Sequence, residues 1–197
     1  MEDEKYIKVV FWGCSEVGCY KLMGILINEQ LFSLGFTKFI KINNKHFNIS
    51  FSIGSQHERF RGLNKIIIRG SDIMIFVYDI TSIKSFDELK DYYIPRAFEI
   101  LDNNFKGAIV GINYDLYMYE QVRQEKAKHL ADSYGFKFIL TSEKYNGDNF
   151  REFNGLSEIF SYIEKFFLKN LLYVFFSNKE KNFRKLNPYI YVIFLKN

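Results

Sequence analysis

Tyr6 to Trp12 is a short run of β-branched and aromatic residues that stops at Gly13, the pattern of a buried strand. From Cys19 to Leu31, the apolar residues Leu22, Met23, Leu26 and Ile27 recur at helical spacing. Gly13 and Gly18 punctuate the stretch between them. Strand, glycine loop, helix is the opening of an α/β domain, and it restricts what the remaining chain can do.

The alternation continues. Phe36 to Ile42 and Phe47 to Ile53 flank Asn43-Asn44, a dipeptide suited to a left-handed turn, and together predict a β-hairpin. Asp72 to Ile80 is a near-continuous apolar run of the kind found in central parallel strands. A helix is expected from Ile83 to about Ile100, interrupted or kinked at Pro95. Ala108 to Ile112 reads as a strand, Glu120 to Tyr134 as a helix stopped by Gly135, and Phe136 to Leu140 as the last strand. Phe150, Phe153, Leu156, Ile159, Phe160, Ile163 and Phe167 then repeat every three or four residues, which predicts an amphipathic closing helix. Strands alternating with helices imply a mostly parallel sheet covered on both faces.

The 197 residues fit one domain and a short appendage, and a content of 48% hydrophobic residues excludes a disordered chain. The formal charge of +4 is spread along the sequence and does not mark a nucleic-acid surface. Cys14 and Cys19 are the only cysteines, too close and too isolated for a zinc site or a disulfide framework. The acidic start, Met1 to Lys5, is unlike a signal peptide, and no apolar run reaches the ~18 residues of a membrane span. We therefore expect a cytoplasmic protein, with membrane contact at most peripheral. The expected organisation is a tail over 1–5, a domain over 6–168 and a second tail over 169–197. That second tail alternates apolar (Leu171 to Phe176), charged (Asn178 to Lys185) and apolar (Tyr189 to Leu195) stretches. It is open to three readings: an extension of the last helix lying on the domain or a membrane surface, a partner-binding segment, or translated non-coding sequence.

Several landmarks occur in a telling order. Gly13-Cys14-Ser15-Glu16-Val17-Gly18-Cys19-Tyr20 has the strand–loop–helix setting and glycine spacing of a phosphate-binding P-loop. Glu58-Arg59-Phe60-Arg61 is followed by Arg69-Gly70, Tyr78-Asp79-Ile80-Thr81 and Ser85-Phe86. Further on stand Val110-Gly111-Ile112-Asn113-Tyr114-Asp115-Leu116 and Thr141-Ser142-Glu143-Lys144, with Asn149 and Phe150 where a last helix would begin. This series resembles the small GTPases of the Ras superfamily, Rab type, over residues 6 to about 168. The resemblance implies a P-loop NTPase fold, a six-stranded mostly parallel sheet with one antiparallel strand and helices on both faces.

It also implies a guanine-nucleotide site, with GTP or GDP as ligand, and there the sequence departs from the family. A P-loop cradles phosphate with backbone N–H groups, a lysine charge and a Ser/Thr hydroxyl on Mg²⁺. Here the lysine place holds Cys19 and the hydroxyl place Tyr20, while Glu16 adds a carboxylate to a loop built for an anion. On ungapped alignment the family's D-x-x-G-Q falls on Ile53, Gln56 and His57, so the Asp, the γ-phosphate-sensing Gly and the catalytic Gln are all replaced; with one inserted residue Ser52 takes the Asp place. Thr37 is the one threonine near the place of the switch I residue. Ile112 and Asn113 replace the Asn and Lys of the base motif, whereas Asn113, Asp115, Ser142 and Lys144 remain as candidate guanine contacts. Charge-assisted hydrogen bonds contribute about 1.5–3 kcal/mol each, so these losses remove on the order of 5–9 kcal/mol, roughly four to six decades of affinity at most. The expectation is a pseudo-GTPase without Mg²⁺ and with weak or absent GTP/GDP binding, acting through protein effectors or regulators in vesicle traffic or signalling. The alternative is an atypical GTP switch or slow GTPase.

Individual residues keep two readings. His57 could orient a water or be an exposed loop histidine, and no residue is assigned as catalytic. Asp115 could bind the base or cap the following helical turn. Cys19 has the setting of an activated thiol at a helix N-terminus. Phe60 and Tyr92 stand where Rab effectors would make contact, or simply fill core and surface. The chain is expected to be a monomer, peripheral on endomembranes at most, since it carries no C-terminal cysteine for prenylation.

Overall fold

The computed structural model describes residues 5–13, 16–27, 35–42, 45–55, 58–103, 105–146, 150–155, 157–159 and 161–166. Its centre is a six-stranded sheet in the order β2-β3-β1-β4-β5-β6. β1 (Lys5–Gly13) lies between β3 (Lys45–Ile53) and β4 (Ile73–Asp79), parallel to both, with Phe11 opposite Ile53 and Gly13 opposite Val77. β5 (Lys106–Ile112) and β6 (Lys137–Leu140) extend the parallel set. β2 (Gly35–Ile42) forms the expected hairpin, running antiparallel to β3; Asn43 and Asn44 lie outside the described residues.

Because side chains alternate across a strand, β1 serves two cores. Ile7, Val9 and Phe11 pack with Cys19, Leu22 and Met23 of α1 (Glu16–Ile27) and with Ile159 and Ile163 of the closing helix. Val10 and Trp12 point to the other face, with Ile68 of α2 (Arg61–Ile68), Phe86 of α3 (Ile83–Glu88), Ala97 of α4 (Ile94–Leu101) and Ala127 of α5 (Gln124–Ser133). Helices therefore cover both faces, as the α/β pattern requires.

α3 and α4 form one rod, joined by a wider π turn over Leu89–Tyr93. The interruption read from Pro95 is real, and it sits just upstream of the proline. Pro95 has no N–H to offer the preceding turn and its ring crowds the carbonyl four residues back; widening that turn relieves both. Tyr92 and Tyr93 leave this turn to meet the Trp12 ring edge-on, at centroid distances of 6.2 and 5.0 Å.

Four expectations are corrected. α1 begins at Glu16, three residues ahead of the predicted Cys19, so Gly18 is a helical residue. α2 was not anticipated, because its apolar Leu63 and Ile66 face outward while Asn64 and Ile68 are buried, so its apolar residues mark no single face. Tyr114–Tyr119 forms a 3₁₀ segment, and α5 starts only at Gln124, not Glu120. Phe150 does not begin the last helix: β7 (Ser142–Asn146) and β8 (Phe150–Asn154) form a separate antiparallel pair, and among the described residues those after Gly155 are helical from 157. The break falls at Gly155, whose φ is +83° and where a Cβ would lie 2.1 Å from the Leu140 carbonyl oxygen. Only glycine fits that turn. Asn149 and residues 167–197, with all three stretches of the second tail, lie outside the described residues.

Candidate functional site

The sequence motifs converge on the C-terminal edge of the parallel strands, where open α/β sheets bind ligands. Gly13 closes β1 with φ +144°, and a Cβ there would sit 2.1 Å from the Val77 carbonyl oxygen. The glycine is thus demanded by the approach of β4, independently of any phosphate. Only Cys14 and Ser15 separate it from α1, and both lie outside the described residues. Glu16, Val17, Gly18, Cys19 and Tyr20 are all helical.

Cys19 is 1% exposed and belongs to the apolar cluster beneath the sheet. Tyr20 is partly buried and packs against the same cluster, as does Ile112. Ile53 is fully buried there too. Four positions that the family resemblance assigns to polar ligand-binding groups are thereby occupied by, or packed on, core. A buried thiol in this setting is closed to reagents, which removes the reading of Cys19 as a reactive surface cysteine. Gln56 and His57 lie outside the described residues.

On the base side the residues do come together. Asn113, directly after β5, has a left-handed backbone, φ +64° and ψ 33°. Its Nδ2 donates to Asp79 Oδ2 at 2.7 Å. The other oxygen of Asp79 accepts from the Thr81 amide at 2.8 Å and the Thr81 hydroxyl at 2.7 Å. Asp115 is exposed on the 3₁₀ segment. The Tyr114 amide donates to the Thr141 carbonyl, and the Thr141 amide to the Gly111 carbonyl, at 3.0 and 2.7 Å. Through these two bonds β7, which begins at buried Ser142, lies against the 3₁₀ segment that carries Asp115. Lys144 falls within β7, its side chain outside the described residues.

The sequence reading missed the Asp79 carboxylate as the hub of this corner. Its signal was present, since an Asp two residues before a Thr at a strand end makes a side-chain turn. Phe60 is exposed as expected of a contact residue, whereas Tyr92 is tied up with Trp12 and Tyr93. Among the described residues no group of three or more His, Cys, Asp or Glu side chains could hold a metal ion, and no helix is long and apolar enough to cross a membrane.

A model of the Ras family matches residues 8–164. Human Ras-related protein Rab-8B is 33% identical over 105 residues, covering 53% of this chain and 50% of that protein. Human Ras-related protein Rab-21 is 33% identical over 124 residues, 63% of this chain and 52% of that protein. Ras-related protein Rab-8 of Diplobatis ommata is 32% identical over 105 residues. The chain spans about half the length of the curated relatives it matches.

Proposed function

The chain belongs to the Ras family, and from that premise we propose that it is a Rab-like pseudo-GTPase, a small-GTPase scaffold that works by protein contacts and not by a tight Mg²⁺-GTP switch. The observation that carries this reading is Cys19. At the family's lysine position it is a core residue, in a helix that has already begun at Glu16. A charged lysine cannot occupy such a place without a large desolvation cost. The Ile53 side chain, buried at the Asp place, has no oxygen to offer Mg²⁺, and the hydroxyl place holds the Tyr20 ring packed on the core. The residues present do not fit that ion, and we derive no hydrolytic step.

The surface suited to partners is α2. Phe60, Leu63 and Ile66 are exposed along it, and Arg59, Lys65 and Arg69 are exposed beside them. An apolar strip rimmed by cations fits a protein with an apolar patch bordered by carboxylates. Vesicle traffic or signalling is the process this kinship suggests, with the protein in the cytoplasm or peripheral on endomembranes.

A second reading, a GTP switch of unusual construction, is favoured by one observation. Asp115 is exposed on the 3₁₀ segment, against which β7 with buried Ser142 lies, at the edge where a base would sit. The two readings separate on nucleotide content and affinity of the full chain. Purified protein is denatured and its released nucleotide quantified, then labelled GDP and GTP are titrated with and without Mg²⁺. The pseudo-GTPase should carry no stoichiometric nucleotide and bind neither below the micromolar range. Sub-micromolar, Mg²⁺-dependent binding would establish the switch.

A further inference from the structure

The inner face of α2 carries Ile68 and one polar residue, Asn64. Asn64 is 3% exposed. Its Oδ1 accepts from the Ser55 amide at 2.8 Å and its Nδ2 donates to the Ser55 carbonyl at 2.6 Å. One carboxamide thereby satisfies both backbone groups of a buried residue, as a neighbouring strand would. Ser55 is itself buried, and the residue before it is held from the other side, with the Gly54 amide donating to the Phe11 carbonyl at 2.9 Å. Gly54 is seated on the Trp12 ring, with no room for a Cβ.

Loop and helix need each other in this arrangement. Without Asn64, the Ser55 N–H and C=O would be buried with those bonds unmade, and without Ser55 an amide side chain would be stranded in the core. This loop is the one that aligns with the family's D-x-x-G-Q, whose glycine senses γ-phosphate. We propose that Asn64 is a built-in brace: it ties Ser55, next to the end of β3, to α2 through bonds internal to the chain, and so fixes the Leu63–Ile66 face of α2 whether or not nucleotide is bound. Asn64 is a positioning residue, and its proposed purpose rests on the reading of α2 as the partner-binding surface.

Hydrogen–deuterium exchange on the full chain tests it. In the wild type stripped of nucleotide, amides of residues 54–68 should be protected, and neither Mg²⁺-GTP nor Mg²⁺-GDP should change them. In Asn64→Ala that protection should fall about 10- to 100-fold, while β4 and β5 keep theirs. Asn64→Asp supplies an arm that a merely space-filling residue would not move. The carboxylate has no proton for the Ser55 carbonyl, whereas the carboxylic acid does. Burial beside that carbonyl raises the carboxyl pKa, so the protection factor of 54–68 should be low at pH 7.5 and recover by pH 5. Unchanged protection in Asn64→Ala overturns the brace, as does a pH-independent Asn64→Asp. If Asn64→Ala does not fold, the Asn64→Asp profile decides. Wild-type protection that arises only with Mg²⁺-GTP also overturns it. Tight nucleotide binding with protection unchanged would instead sink the pseudo-GTPase reading and leave the brace standing.

Discussion

The Asn113 carboxamide donates to Asp79 across 2.7 Å, joining the ends of β5 and β4. In the family alignment this position belongs to a lysine of the base motif; here it closes a polar corner that also includes Thr81. The corner makes a prediction in which two substitutions differ. Asn113→Ala should destabilise by about 2 kcal/mol, from a lost charge-assisted bond and from left-handed backbone that alanine tolerates poorly. Asn113→Gly loses the bond but suits the backbone, and should be less destabilised by about 1 kcal/mol. Urea denaturation of the two variants checks the order; equal losses would mean that the backbone conformation carries no cost.

Gly13→Ala should be far more damaging. The added methyl would meet the Val77 carbonyl oxygen at 2.1 Å, and strain at such a site costs about 3 kcal/mol or more. Thermal and urea unfolding should report that loss even in nucleotide-free protein. A neutral Gly13→Ala would refute the structural account of this glycine.

Cys19→Lys with Tyr20→Ser rebuilds the P-loop sequence and should not rebuild the site. Cys19 lies in the apolar cluster of Ile7, Val9 and Leu22, so the lysine must enter core or displace α1. The pair should lower stability by about 2–4 kcal/mol without producing sub-micromolar GTP affinity. Denaturation and nucleotide titration on the same preparation test both halves.

Tyr78 offers the opposite case. Its hydroxyl is buried without a hydrogen-bond partner, and so is Oε1 of Glu120; burial first and the Glu120 charge second push the Tyr78 pKa up. Tyr78→Phe should be neutral or stabilising by up to about 1 kcal/mol. A loss of similar size would reveal a bridging water between the two groups.

Tyr162 gives a pH dependence. Burial pushes its pKa up to about 12, and its hydroxyl donates to the Gly107 carbonyl at 2.8 Å. A raised folded-state pKa favours the neutral phenol, so this contribution is intact below the ordinary tyrosine value near pH 10 and is lost as pH rises toward 12. Chemical denaturation between pH 9 and 12 should therefore show stability falling, less steeply in Tyr162→Phe.

The sheet was legible because β4 is a continuous apolar run ended by Asp79, and β1 and β5 each carry a four- or three-residue apolar core, Val9–Trp12 and Ala108–Val110, next to a glycine. The closing helix was half legible. Ile159 and Ile163 keep their helical spacing, but Phe150 and Phe153 fit the same spacing and are strand residues, since a run of aromatics at three-residue intervals does not reveal where a positive-φ glycine such as Gly155 breaks the chain. α2 was hidden because exposed Leu63 and Ile66 share the helix with buried Asn64 and Ile68, so its apolar residues mark no single face. At the site, substitution told which groups were missing, whereas the burial that turned Cys19 and Ile53 from vacant ligand places into core depends on tertiary packing, of α1 on β1 for Cys19 and of β3 on β1 for Ile53.

The π turn before Pro95 carries a consequence for how this lineage can vary. A π turn is in effect a single-residue insertion accommodated inside a helix. The wider turn absorbs that residue, so Ala97 and Leu101 beyond it stay buried, and deleting one residue between Leu89 and Tyr93 would remove the bulge and leave their faces unchanged. What the deletion would disturb is the bulge itself, from which Tyr92 and Tyr93 close on Trp12. The rod can therefore change length by one residue at this turn without re-facing the rest of the helix, and the tyrosine pair is the part that would have to repack.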